Sequence, residues 1–109
     1  MKKILTLVAA VALVALTTNV SADAKENWAK HCAKCHGKEG AGDTTMGKKL
    51  KIKDYTKAEE QKKFTDEEAL KITKEGKKQG SKTLMKGFAS TLSDDEIKEL
   101  VKLVRSFKK

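Results

Sequence analysis

Both cysteines and both histidines of this chain fall within six consecutive positions, His31-Cys32-Ala33-Lys34-Cys35-His36. Thiols and imidazoles packed this closely suit three chemistries: a redox dithiol, a metal site, or the covalent attachment of a haem. A thioredoxin-like Cys-x-x-Cys needs a βαβ setting, and the chain offers no convincing period-2 alternation from which to build strands. Structural zinc needs four ligands in a tetrahedron, normally from two knuckles far apart in sequence. No second knuckle exists here, and four donors spaced as His31, Cys32, Cys35 and His36 cannot wrap one ion without severe strain. A plain disulfide between Cys32 and Cys35 closes too short a loop to add much stability. Cys32-x-x-Cys35-His36 is the spacing of a c-type haem tether. Thiols three residues apart reach the two vinyl groups of one haem edge as thioethers, and the imidazole that follows is held beneath the iron.

Iron with one histidine needs a sixth ligand or keeps an open site. His31 is the other histidine, but its neighbour Cys32 is pinned on the His36 side, so it does not reach the opposite face. Methionine remains. Met85, in KTLMKGFAST, lies far enough beyond His36 for the chain to cross the haem and present sulfur from the other side. Met46 follows His36 by ten residues within a Gly-rich stretch and is the weaker candidate. The expected site is therefore one haem c held by Cys32 and Cys35, with His36 and Met85 as axial ligands.

The elements that must position these residues are signalled unevenly. Lys2 and Lys3, an apolar run from Ile4 to Leu16 and small residues at Val20-Ser21-Ala22 have the layout of a secretory signal peptide. The run is short for a membrane span, which needs about 20 residues. We expect residues 1–22 to be a cleavable leader and residues 23–109 to form one small domain, without a transmembrane segment after cleavage. The formal net charge of +9 becomes about +7 once Lys2 and Lys3 are removed. Large apolar side chains are scarce after the leader, and a domain this small usually needs a staple or a large cofactor to complete its core.

The clearest helix is the last. Ser93 and Glu96 form a capping-box signature, Leu92 and Ile97 a hydrophobic staple. Ile97, Leu100, Val101, Val104 and Phe107 recur on one face. Thr65 and Glu68 start a second helix in the same way, with Gly76 placed to end it at positive φ. A third helix is expected from about Asp23 to Ala33, with Ala24, Trp28 and Cys32 on one stripe. The Gly- and Lys-rich segment between the first two helices in chain order reads as loop with one short helix near 57–63. The expected fold is all-α.

With these residues in hand, the chain resembles the small class I c-type cytochromes of bacteria. The likeness rests on CAKCHG followed by Gly40 and Gly42, on MKGF carrying Met85, and on the closing LSDDEIKELVKLVRSF. It implies that the N- and C-terminal helices cross beside the haem and that Trp28 packs against the final helix near Leu100 and Val104. Two positions depart from the usual pattern: Lys86 stands where the family often has proline after the axial methionine, and Leu103 where it often has an aromatic. Tyr55 is a candidate donor to a haem propionate or else a partly exposed loop tyrosine.

The leading functional expectation is a soluble, monomeric, periplasmic one-electron carrier rather than an enzyme. Methionine ligation raises the potential, and two filled axial positions leave no room for substrate. The rivals are a haem peroxidase or small-ligand sensor, should Met85 not hold the iron, and a haem subunit of a larger redox complex. Lys34, Lys38, Lys48, Lys49, Lys51, Lys82 and Lys86 flank the haem-bearing segments. They form either a docking face for an acidic oxidase, reductase or dehydrogenase, or merely a solvated surface. Nucleic acid is not an expected partner for an exported protein.

Overall fold

Residues 20–109 are described by the computed structural model. The leader expected over residues 1–22 therefore lies, up to residue 19, outside the described residues.

The caps form as their spacing predicts. Ser93 Oγ accepts from the Glu96 amide at 3.1 Å, and Glu96 Oε1 accepts from the Ser93 amide at 3.0 Å. This box opens helix Asp94–Ser106, the longest among the described residues, and Thr65 with Glu68 builds the same box at the start of helix Asp66–Glu75. In chain order the elements are α1 (Ala22–His31), α2 (Ala33–His36), α3 (Thr45–Lys49), α4 (Ala58–Gln61), α5 (Asp66–Glu75), β1 (Lys77–Gln79), β2 (Lys82–Met85) and α6 (Asp94–Ser106).

α1 packs against α6, and α5 packs against α6 from another side. The core gathers Trp28 and Cys32 from the first segment, Phe88 and Leu92 from the approach to α6, and Ile97, Leu100 and Leu103 from α6 itself. Ile97 is wholly buried, as the staple position after the Ser93 cap requires. Asn27 Nδ2 donates to Glu96 Oε2 at 3.0 Å, which ties the start of α6 to α1. Trp28 sits in the same cluster as Leu100 and Leu103, with Val104 against it, and its ring lies 5.0 Å from that of Phe107.

Three differences from the sequence expectation concern the parts nearest the site. The first helix does not run on to Ala33: it ends at His31 and restarts as the single turn α2. The break falls at Cys32, whose amide still bonds back to the Trp28 carbonyl at 2.9 Å. The Gly- and Lys-rich segment holds two short helices rather than one. Thr44 caps α3 by accepting from the Gly47 amide at 2.9 Å. Finally, the chain is not purely helical, since β1 and β2 pair as an antiparallel hairpin with Lys77 opposite Met85. KKQ and KTLM carry almost no period-2 apolar signal because both strands are largely exposed. Among the described residues no helix is long and apolar enough to cross a membrane.

Candidate haem cleft

α1 and α2 deliver Trp28, Cys32 and His36 to one apolar cleft of about 200 Å³, partly open to solvent. α6 contributes Leu100, Val101 and Val104 to it. α5 supplies Ala69, Ile72 and Thr73, β2 supplies Met85, and the segment between α3 and α5 supplies Lys53, Tyr55, Glu60, Lys63 and Phe64. Cys32 and His36, and the distant Met85, all predicted as site residues, thus share one cavity. Cys35 is half-buried on α2 and is not among the residues lining the cavity. Met46 lies on α3, 40 % exposed and outside the cleft.

His36 is fixed from several directions. Its carbonyl accepts from the Gly42 amide at 2.8 Å, and Trp28 Nε1 donates to the next carbonyl, Gly37, at 2.9 Å. The Trp28 ring lies 5.5 Å from the imidazole, and Tyr55 stacks on it at 5.6 Å with 22° between the planes. Gly37 follows with φ 84° and ψ 161°, a region essentially reserved for glycine, and so turns the chain directly after the imidazole. Burial lowers the His36 pKa, which keeps the ring neutral, the form that binds metal. Its Nδ1 is buried without a hydrogen-bond partner.

The cysteines are not joined to each other. Burial, with a smaller contribution from Cys35, pushes the Cys32 thiol up to about 11. A redox dithiol depends on the opposite, a lowered thiol pKa. Among the described residues no group of three or more His, Cys, Asp and Glu side chains converges as a metal site, so the zinc reading has no geometric support either.

Met85 is half-buried and packs against the core from the end of β2. Its backbone is set by the hairpin register and by Gly76, which ends α5 with φ 80° and ψ −176°. The positive φ is as expected, but the extended ψ belongs to the glycine-only region rather than to a left-handed helical cap. A Cβ on Gly76 would stand 2.5 Å from the Met85 carbonyl oxygen and 2.6 Å from the Gly87 amide nitrogen. We expect Gly76→Ala to cost about 1–3 kcal/mol through the backbone alone, more with the clash, and to displace Met85. Thermal denaturation together with the ferric spectrum checks both parts.

Sequence reasoning did not find the aromatic and polar groups that close the His36 side. Phe64 sits edge-on to Tyr55 at 5.6 Å, and Gln61 is 5 % exposed beneath them. The one available signal was that Gln61 is the only uncharged long polar side chain in the run Lys57–Lys63.

This arrangement of helices around a Cys-x-x-Cys-His cleft defines a small c-type cytochrome. A solved structure titled KustC0563 c-type cytochrome is 34 % identical and superposes with a TM-score of 0.71, covering 80 % of this chain and 99 % of its own. A tyrosine-to-phenylalanine mutant of the same protein gives 34 % identity and a TM-score of 0.68, with 79 % of this chain and 99 % of that chain covered. The family profile described as cytochrome c oxidase, cbb3-type, subunit III matches residues 19–104, and the chain belongs to that family. No curated protein matches the chain.

Membership implies a c-type haem, and the residues present fit one. The cleft is predominantly apolar and partly open to solvent. A neutral imidazole with an unpartnered ring nitrogen stands in it, a thioether lies on the β2 wall, and Cys32 lies beside the imidazole.

Proposed function

We propose that the protein is an exported, periplasmic one-electron carrier with a single haem c tethered by Cys32 and Cys35 and ligated by His36 and Met85. The observation that carries this reading is the sharing of one apolar cleft by His36, Cys32 and Met85, with Met46 exposed outside it. When bound, the haem would supply a reversible one-electron change at iron, with His36 and Met85 as the residues that would hold that iron. The residues do the rest. His36 offers a neutral nitrogen because its surroundings are dry. Met85 offers a soft sulfur donor, which favours the reduced state and raises the potential. Trp28, Phe64, Leu100, Val101 and Val104 exclude water from the centre.

Lys34, Lys38, Lys48, Lys49, Lys51, Lys82 and Lys86 are all exposed, and we assign them to steering encounter with an acidic face on a redox partner. Such steering raises association rates by about 10–10³-fold and fades with salt. Reduction or oxidation by an acidic partner protein should therefore slow by about tenfold or more from low to high ionic strength. A salt-independent rate would remove the docking assignment and leave the lysines as a solvated surface.

The family description names an oxidase subunit, which favours a second reading: a haem protein held within a terminal-oxidase assembly. Gel filtration of native extracts at moderate salt separates the two. Elution near the size of the isolated domain supports the free carrier, and co-elution with a large redox complex supports the subunit.

A further inference from the structure

Arg105 is the chain's only arginine, and neither haem attachment nor axial ligation uses it. From the last turn of α6 its guanidinium reaches across to the segment that closes the His36 side of the cleft. Nη2 donates to the Phe64 carbonyl at 2.8 Å. Nη1 donates to both the backbone carbonyl and the side-chain carbonyl of Gln61, the latter at 3.0 Å. Nε donates to Asp66 Oδ1 at 2.7 Å, and the guanidinium carbon lies 4.3 Å from the centre of the Phe64 ring. Gln61 passes the constraint on: its Nε2 donates to the Tyr55 carbonyl at 2.7 Å and to the Val104 carbonyl at 2.8 Å. Tyr55 then stacks on His36. Every link from α6 to the imidazole is a named contact.

We propose that Arg105 is a positioning residue for the haem centre: through Gln61 and Phe64 it holds Tyr55 over His36 and thereby sets the reduction potential. The inference rests on the haem reading given above.

The chemistry of the contact explains why arginine stands there. A planar guanidinium serves several carbonyls at once in fixed directions, whereas a lysine ammonium is a single flexible point charge. The Asp66 carboxylate is largely exposed, and an ion pair in that setting contributes little. The carbonyls of Gln61 and Phe64 are the part that fixes the segment. If the segment loosens, water reaches the His36 face of the cleft. Water favours the more highly charged ferric state, so the potential falls.

The test is spectroelectrochemical titration of the haem-loaded protein and four variants. Arg105→Lys should shift the one-electron equilibrium about three- to tenfold toward the ferric form, a tenfold shift being about 59 mV. Gln61→Met, which removes the donors to Tyr55 and Val104 while keeping the shape, should shift it in the same direction. Asp66→Asn and Ser93→Ala should stay within about twofold of wild type. The second of these removes the cap at the far end of the same helix and so lowers stability by about 1 kcal/mol without touching the cleft.

Unchanged potentials in haem-loaded Arg105→Lys and Gln61→Met overturn the proposal. So does a shift in Ser93→Ala that scales with lost stability, because Arg105 would then act only on the fold. Failure of both Arg105→Lys and Gln61→Met to accumulate with haem, where Ser93→Ala succeeds, also overturns it in favour of a general folding role. A wild-type protein without haem sinks the functional reading itself, and this inference with it.

Discussion

Met85→Ala should lower the reduction potential by about a hundred millivolts or more, since axial ligands together move haem potentials over a range of about 0.8 V. The same substitution should abolish the weak red band of sulfur-ligated ferric iron and make the reduced protein bind CO quickly. Met85 is the methionine on the cleft wall, and Met46 is exposed on α3. The alanine methyl cannot donate, and the half-buried site leaves a space large enough for water or a small ligand. Folding should survive, because the Met85 backbone is held by its pairing with Lys77 and by the close approach of Gly76. A variant that keeps the red band and the wild-type potential would transfer the ligand role to Met46. The departure at Lys86, where relatives often carry proline, leads us to expect a weaker iron–sulfur bond than is usual, and the same titration reads it.

Replacing both Cys32 and Cys35 by alanine should abolish covalent haem completely and cost the protein its stable fold. Denaturing electrophoresis with haem staining reads the first effect, and circular dichroism with thermal denaturation reads the second. The structural reason is the apolar wall of the cleft. Phe64, Ile72, Met85 and Val104 line it without being buried, and without haem that apolar surface meets water at about 25 cal/mol per Å². Few large apolar side chains are fully buried, so a small domain has little with which to compensate. A double variant that still carries haem resistant to acid extraction would contradict the tether. Single variants should keep a haem held by one thioether, with lower yield.

How far the sequence foretold this depended on the kind of signal. Caps are local, and so Ser93/Glu96 and Thr65/Glu68 could be read directly and are found as read. The Cys32-Ala33-Lys34-Cys35-His36 spacing is also local, and its meaning follows from the size of the group it tethers. The hairpin was not legible, because β1 and β2 are short and exposed and leave no apolar alternation in KKQ and KTLM. The restart of helix at Ala33 was hidden for a different reason: the i, i+4 stripe of Ala24, Trp28 and Cys32 continues across the break. The closure of the His36 side depends on Arg105 meeting Gln61 and Phe64, residues about forty positions away. No local pattern encodes such a meeting. Tyr55 stood out in the sequence as a possible propionate donor. Its stacking on His36 gives it a second role that the sequence did not suggest.

One experiment reads the state of the iron in the unmodified protein most directly: the optical spectrum of the purified protein, oxidised, reduced, and reduced under CO. We predict six-coordinate low-spin haem in both oxidation states, the weak red sulfur band in the ferric form, and slow CO binding. High-spin ferric iron, or CO bound as fast as it mixes, would contradict His36/Met85 ligation. It would make the protein a haem enzyme or ligand sensor in place of an electron carrier.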